Sequence, residues 1–406
     1  MSTIFLGSCD IGKKPTNTKE FLAPYHYLGV LKGTKSFRDD DRSKWRRFRE
    51  VAGNEVTDLQ QFLFKAGFMP RGVIDGVFDY VTQASTRLFQ EYVRTIEGEI
   101  NMIPDGIIGP FTRKHIDRWK ASGKVSEWGQ ATTSNASEEY KKWMNILQKT
   151  KTHYQNNHNA IVSQIALFNK ISDTRKVKDW DFNPNEIHLI GIRRAQDVSK
   201  RKRDNDDIFI LLINGMVFKF WGSTDPSQTM AADRSDEAFL VEGQHKYRFG
   251  WHKISSEAKV YRALRPYQHG VLVFRDRDDD NALTKADLLH GIDAKPNNTI
   301  NIHWSGIGES NWSAGCQVLV GKSYINHLDR VIDCSGFAAK NYSTLNDING
   351  KTKGAYNLCA DLILSFAKPG VDYIYYTLGR ESSLDLDTNL MPNYASVMLN
   401  KMKKVE

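Results

Sequence analysis

The chain has 406 residues, enough for two or three domains rather than a single core. Its 40% hydrophobic, 11% aromatic and 26% charged residues supply real cores and exclude a disordered chain. Lys plus Arg outnumber Asp plus Glu by 56 to 48, a formal charge of +8. That mild excess suits an anionic surface, and no nucleic-acid partner is expected, because neither Lys44–Arg49 nor Lys200–Arg203 comes with a reading motif.

Residues 1–50 are polar and irregular and read as a lead segment. Leu6 to Cys9 looks like a lipoprotein cleavage box, but the stretch lacks a basic start and its apolar core is only Ile4 to Leu6. The expectation is a protein made in the cytoplasm without a signal peptide, with no membrane span, since no apolar run approaches the ~18 residues a bilayer requires. Cys9, Cys316, Cys334 and Cys359 have no close pairing and read as reduced thiols.

Residues 51–122 read as a helical module. Val56, Leu59, Phe62 and Leu63 recur at helical spacing and the run stops at Gly67. An internal repeat follows: Asp75-Gly76 and Asp105-Gly106, Thr82 and Thr112, and Phe89 and Trp119 are each 30 residues apart. Each copy places an Asp-Gly turn before a threonine suited to capping the next helix. With Leu59-Gln60, Phe78, Phe89-Gln90 and Ile107-Ile108-Gly109-Pro110, the segment resembles the small peptidoglycan-binding module found beside many cell-wall enzymes. Asp79 stands where that family usually has glycine. The resemblance implies bacterial peptidoglycan as a partner.

Residues 123–178 read as a polar linker and helix, with Trp143, Ile146, Leu147, Ile161, Ile165 and Leu167 on the helical stretch 138–170. Residues 179–406 turn strand-rich: Ile208–Ile213, Met216–Trp221, Gly270–Arg275, Thr299–Trp304 and Cys316–Val320 are β-branched or aromatic runs. Tyr356–Ala367 has helical spacing and Val371–Leu378 reads as a strand. The fold expected is an α+β multidomain protein, a small all-helical module followed by a β-rich domain.

The chemistry concentrates between Asn301 and Cys316. A thiol nucleophile needs a base, a group that orients the base, and backbone N–H donors for the developing oxyanion. His303 late in a strand, a glycine-containing loop, and Ser313-Ala314-Gly315-Cys316 before the next apolar run offer these parts, with a hairpin-like return bringing His303 to Cys316. A buried strand cysteine and a core histidine would leave the same residues. The segment resembles the active-site motif of L,D-transpeptidases, which implies His303 as base, Cys316 as nucleophile, and Ser313 and Gly315 as the motif's serine and glycine. Ala314 replaces the motif's second histidine, Val318 stands where Arg or Asn is usual, and the loop is shorter. A divergent branch with Trp-Ser-Ala-Gly-Cys-Gln-Val is more similar, and also shows Thr224-Asp225-Pro226 and Tyr376-Thr377-Leu378. Around this pair, His252, Trp304, Trp312 and Gln317 are candidate substrate contacts.

The expected function is a peptidoglycan-active cysteine enzyme, hydrolase or transpeptidase, in the manner of a phage endolysin or a delivered effector acting at the wall. The alternative is a non-catalytic wall-binding component of a phage or contractile injection particle. Two decoys stand nearby. Cys334 in Asp333-Cys334-Ser335-Gly336 has no histidine after it and reads as a helix-end cysteine, and Glu309 has no evident partner carboxylate for glycosidase chemistry. No catalytic cofactor is required, but Asp276, Asp278, Asp280 and Asp287 fall at positions 1, 3, 5 and 12 of a calcium-loop pattern with Asn281 in the glycine position.

Overall fold

The computed structural model describes residues 3–13, 49–70, 72–194, 204–227, 237–252, 261–278, 282–345, 350–368, 371, 373–384 and 390–405. Both basic runs, except Arg49, and Asp280 and Asn281 lie outside them. Through residue 131 the elements are β1 (Ser8–Asp10), β2 (Arg49–Val51), α1 (Glu55–Lys65), α2 (Tyr80–Thr95), α3 (Pro110–Ser122) and α4 (Glu127–Gln130). Then come α5 (Glu138–Asn156), α6 (Ala160–Leu167), β3 (His188–Ile192), β4 (Asp207–Ile213), β5 (Met216–Ser223), β6 (Ala238–Leu240), β7 (Gly243–His252), β8 (Tyr261–Pro266) and β9 (Val273–Arg275). The chain continues with α7 (Lys285–His290), β10 (Ile302–Trp304), β11 (Gln317–Leu319), β12 (Ser323–Ile325), β13 (Val331–Asp333), α8 (Ala355–Phe366), β14 (Tyr373–Gly379), α9 (Glu381–Leu384) and α10 (Tyr394–Lys403). Among the described residues no helix is long and apolar enough to cross a membrane.

These elements form two units, and the boundaries differ from the linear division expected from sequence. The first comprises Met1–Ala131, Gly250–Arg262 and Tyr342–Val371; the second comprises Thr132–Phe249, Ala263–Asn341 and Asp372–Glu406. Domain limits read from composition assume a chain that finishes one core before starting the next, and this chain returns twice to its first core.

In the first unit the 30-residue repeat is a repeat of hydrogen bonds. The Gln60 amide donates from Nε2 to Asp75 Oδ1 (2.9 Å), Val77 O (3.0 Å) and Thr82 Oγ1 (3.1 Å), and its Oε1 accepts the Gly76 N–H at 2.9 Å. Gln90 repeats the pattern with Asp105 Oδ1 (3.0 Å), Ile107 O (3.0 Å), Thr112 Oγ1 (3.2 Å) and the Gly106 N–H (2.8 Å). The threonines therefore serve the glutamines and are not the helix caps expected of them. Asp79 caps α2, accepting the Thr82 N–H at 2.8 Å, and Gly109 precedes α3, whose first residue is Pro110. Burial, with Asp75 adding to it, pushes the Asp79 carboxyl up to about 7.

The first unit holds more than the helices of residues 51–122. β1 pairs in parallel with β2, and Asp10 accepts the Val56 and Thr57 N–H groups at the start of α1, so part of the expected lead segment is structural. Trp128, in the expected linker, is buried against Phe68 and Tyr92. Its neighbour Gly129 lies so close to Gly67 that a Cβ on either would strike the other's backbone. From far along the chain, α8 packs on α2 through a bidentate Arg87–Asp361 pair at 2.6 Å and a Ser85–Ser365 hydrogen bond at 3.2 Å.

The second unit is built on a closed eight-stranded barrel, in the order β11-β10-β8-β7-β14-β3-β4-β5, with β5 also pairing β11 and β12–β13 continuing from β5. Side chains alternate between faces along each strand. Ile208, Ile210 and Leu212 of β4 face outward into a core completed by Tyr140, Trp143, Ile146 and Leu147 of α5 and by Tyr394, Met398, Leu399 and Met402 of α10. Phe209 faces inward and stacks on Tyr376, which also meets Tyr247 edge-on and lies 6.1 Å from His245. Burial pulls His245 down to about 3, so it stays neutral between Thr174 Oγ1 and Val241 O. The β4–β5 turn is Asn214-Gly215, both at positive φ, the favoured geometry for a two-residue hairpin. The 138–170 stretch is two helices, α5 and α6, and the mixed α+β character is as expected.

Because α8 supplies a buried partner from another part of the chain, Arg87→Ala leaves the Asp361 carboxylate unpaired in the first unit. A loss of about 3–5 kcal/mol is expected in denaturant unfolding of that unit; an unchanged midpoint would show that the pair is not what fixes α8.

Candidate active site

Cys316 is the one cysteine of four that is not buried. Its thiol donates to Thr299 O at 3.2 Å and accepts the Asn301 N–H at 3.4 Å, so Sγ sits against the segment leading into β10. The turn that presents it is tight. Ser313 Oγ donates to Cys316 O at 2.9 Å and accepts the Gly315 N–H at 3.3 Å, while Asn311 Oδ1 accepts the Ser313 N–H at 2.8 Å. Gly315 holds φ at +145°, a region that L side chains rarely adopt, which is the reason for glycine before the cysteine.

β10 and β11 are parallel, not the two arms of a hairpin, with His303 opposite Val318 and Ile302 opposite Gln317. The connecting loop, residues 305–316, is long enough to carry the chain back for a parallel pairing. Gln317 points into the barrel, so by alternation Cys316 and Val318 face the other side, where a parallel partner strand places Asn301 and His303. His303 Nδ1 lies 2.8 Å from Trp304 O. A carbonyl only accepts, so Nδ1 carries the proton and Nε2 is the basic nitrogen of the neutral ring.

The other expected contacts separate. Trp312 is 53% exposed beside the turn. Trp304 is 1% exposed and is core. Gln317 is fully buried, its Nε2 donating to Thr224 O at 2.9 Å and its Oε1 accepting from Tyr376 at 3.0 Å, so its amide is engaged within the barrel. His252 belongs to the first unit, where its ring meets Tyr261. Cys334 is buried in a turn after β13, not at a helix end, and Glu309 is an exposed side chain 3.5 Å from Lys403 Nζ.

Asp276, Asp278 and Asp287 each bring a carboxylate oxygen within 4.8 Å of the others, and Asp280 is outside the described residues. Oxygen ligands of this charge fit a hard cation. Asp287 also caps α7, accepting the Thr284 N–H at 2.8 Å and the Arg277 N–H at 3.1 Å.

A buried charge cluster underlies the site. Arg193, Asp207 and Asp225 are buried together, with Arg193 Nε 2.8 Å from Asp225 Oδ1 and Asp207 accepting from the Thr224 N–H and Oγ1 and the Arg194 N–H. Burial pushes Asp207 up to about 8, with Asp225 and Asp206 adding to the push and the two N–H donors opposing it. Thr224-Asp225-Pro226 was the only signal in the sequence for this cluster. No family model, curated protein or solved structure matches the chain.

The raised Asp207 value fixes a sign. Between about pH 4 and pH 8 the folded chain holds a proton that the unfolded chain releases, so this group's contribution to stability declines as pH rises through that window. Thermal unfolding across pH 5 to 8 should show a smaller loss of midpoint in Asp207→Asn than in the wild type. Equal slopes would place the proton elsewhere.

Proposed function

We propose that the chain is a peptidoglycan-active cysteine enzyme that cleaves stem peptides, with Cys316 as nucleophile and His303 as base. The observation that carries this reading is the setting of the thiol: the accessible cysteine stands on a turn held by Ser313 and Gly315, against a backbone N–H, beside a strand whose histidine has its tautomer fixed. His303 Nε2 takes the thiol proton and the thiolate attacks the peptide carbonyl. Backbone N–H groups of the turn take the developing oxyanion, and His303 returns the proton to the departing amine. Water then attacks the thioester with His303 again as base, releasing the carboxylic acid and restoring the thiol. Hydrolysis is favoured over cross-linking, since Val318, where the L,D-transpeptidase family has Arg or Asn, is 1% exposed and apolar.

The first unit supplies wall affinity in this reading, and the protein acts at the bacterial wall after lysis or delivery by a phage or secretion apparatus. The same Ala314 and Val318 replacements favour the second reading, a wall-gripping component of a phage or injection particle without catalysis. Incubating wild type and Cys316→Ala with sacculi, followed by mass spectrometry of the soluble fragments, separates the two. New peptide termini that disappear in the variant are expected; wall binding without fragments in either protein would leave the gripping role.

Calcium at Asp276, Asp278 and Asp287 has a structural place in this proposal, tying the start of α7 to the segment after β9. Millimolar calcium should raise the thermal midpoint of the wild type and leave Asp276→Asn unmoved. Identical midpoints with calcium and with EDTA in the wild type would remove the ion.

A further inference from the structure

Three stretches distant in sequence meet behind the Cys316 turn. Asn311 is fully buried and its amide is saturated: Nδ2 donates to Ser223 Oγ at 3.1 Å and Asp225 O at 2.7 Å, and Oδ1 accepts the Ser313 N–H at 2.8 Å. The Ser227 N–H donates to Ser313 O at 2.5 Å, so the 223–227 segment holds the turn at both Asn311 and Ser313. That segment is itself fixed by Arg193, whose Nε lies 2.8 Å from Asp225 Oδ1 and whose Nη2 donates to Thr224 O at 3.1 Å. Arg193 follows directly from β3, and its N–H donates to Gly379 O at the end of β14. A connected set of bonds thus runs from two barrel strands to the residue whose hydroxyl holds Cys316 O.

We infer that Arg193, Asp225 and Asn311 act as positioning residues that hold the Cys316 turn in the geometry that favours the thiolate, an inference that rests on Cys316 being the nucleophile. None of the three touches the sulfur. Their effect passes through Ser313 and Gly315 to the placement of Sγ at the Asn301 N–H, a contact that stabilises negative charge on sulfur only at short range. Removing the Asn311 amide leaves the Ser313 N–H and the Asp225 carbonyl without it in a buried site, and the turn relaxes to recover those bonds. Tyr247 on β7, whose hydroxyl donates to Ile300 O, is coupled electrostatically to the thiol, and His303 stands on β10, the strand paired with β11.

The rate at which iodoacetamide alkylates Cys316 in the full-length protein, followed across pH by mass spectrometry, reads this directly, because Cys9, Cys334 and Cys359 are buried. Asn311→Ala should alkylate roughly tenfold more slowly at neutral pH, with its profile moved about one unit alkaline and the same plateau at high pH. Asp225→Asn, which keeps the side chain's shape, should move the profile the same way, and carries the test if Asn311→Ala does not fold. Adding Ser313→Ala to Asn311→Ala should cause no further shift. Unmoved profiles in folded variants, additive shifts, or faster alkylation at every pH with an unmoved midpoint would each overturn the inference. Sacculus cleavage by the wild type reports separately on the enzyme reading: fragments with unmoved variant profiles retain the enzyme and remove the positioning role, and shifted profiles without fragments do the reverse.

Discussion

Closing an eight-stranded sheet leaves one seam where the strands at its two ends must meet in register, and in the second unit that seam is β5 against β11. Gly222 faces Val318 there so closely that a Cβ would run into the Val318 carbonyl, and Leu319 lies opposite it. The pairing places Ser223 beside Val318, and Thr224 and Asp225 follow immediately, at the back of the turn that ends in Cys316. The candidate nucleophile, the buried charge cluster and the parallel strand carrying His303 all take their positions from this one close approach. A similar clearance operates inside the barrel, where Gly191 leaves the space filled by the Tyr376 hydroxyl, which in turn holds Gln317.

The first unit uses a different device. Its two Asp-Gly turns are each organised by a single glutamine that satisfies backbone groups which would otherwise be buried without partners. A side chain thereby does what a strand or helix would do elsewhere, and six aromatic rings, Phe62, Phe68, Phe89, Tyr92, Trp119 and Trp128, close over the result in mostly edge-to-face contacts.

Local signals were legible in the sequence and long-range ones were not. The Asp-Gly turns, the α8 spacing around Leu358 and Leu362, and the β4 and β5 runs follow from patterns within some 15 residues, and the elements stand close to where those patterns place them. Trp128 escaped because a small polar neighbourhood reads as linker, although a glycine-glycine approach can bury a tryptophan there. Gln317 and Trp304 sit beside chemistry-bearing residues in sequence, and strand alternation and burial carry them into the interior. Asn311 lies inside the same loop as Cys316 and carries no sequence signal, since an amide among glycines and serines looks like turn composition until its partners at 223 and 225 are known.

The interrupted first unit also sets an order of events during synthesis. Its hydrophobic helix α8 begins about 225 residues after Ala131, which at roughly 5–20 residues per second is a delay on the order of 10–50 s. Throughout that interval α2 lacks its contacts with α8, the Ser85–Ser365 and Arg87–Asp361 bonds, and the intervening barrel strands are themselves waiting for β14. Both cores are therefore completed by neighbouring segments, α8 and β14, so the two units condense late and close together in time.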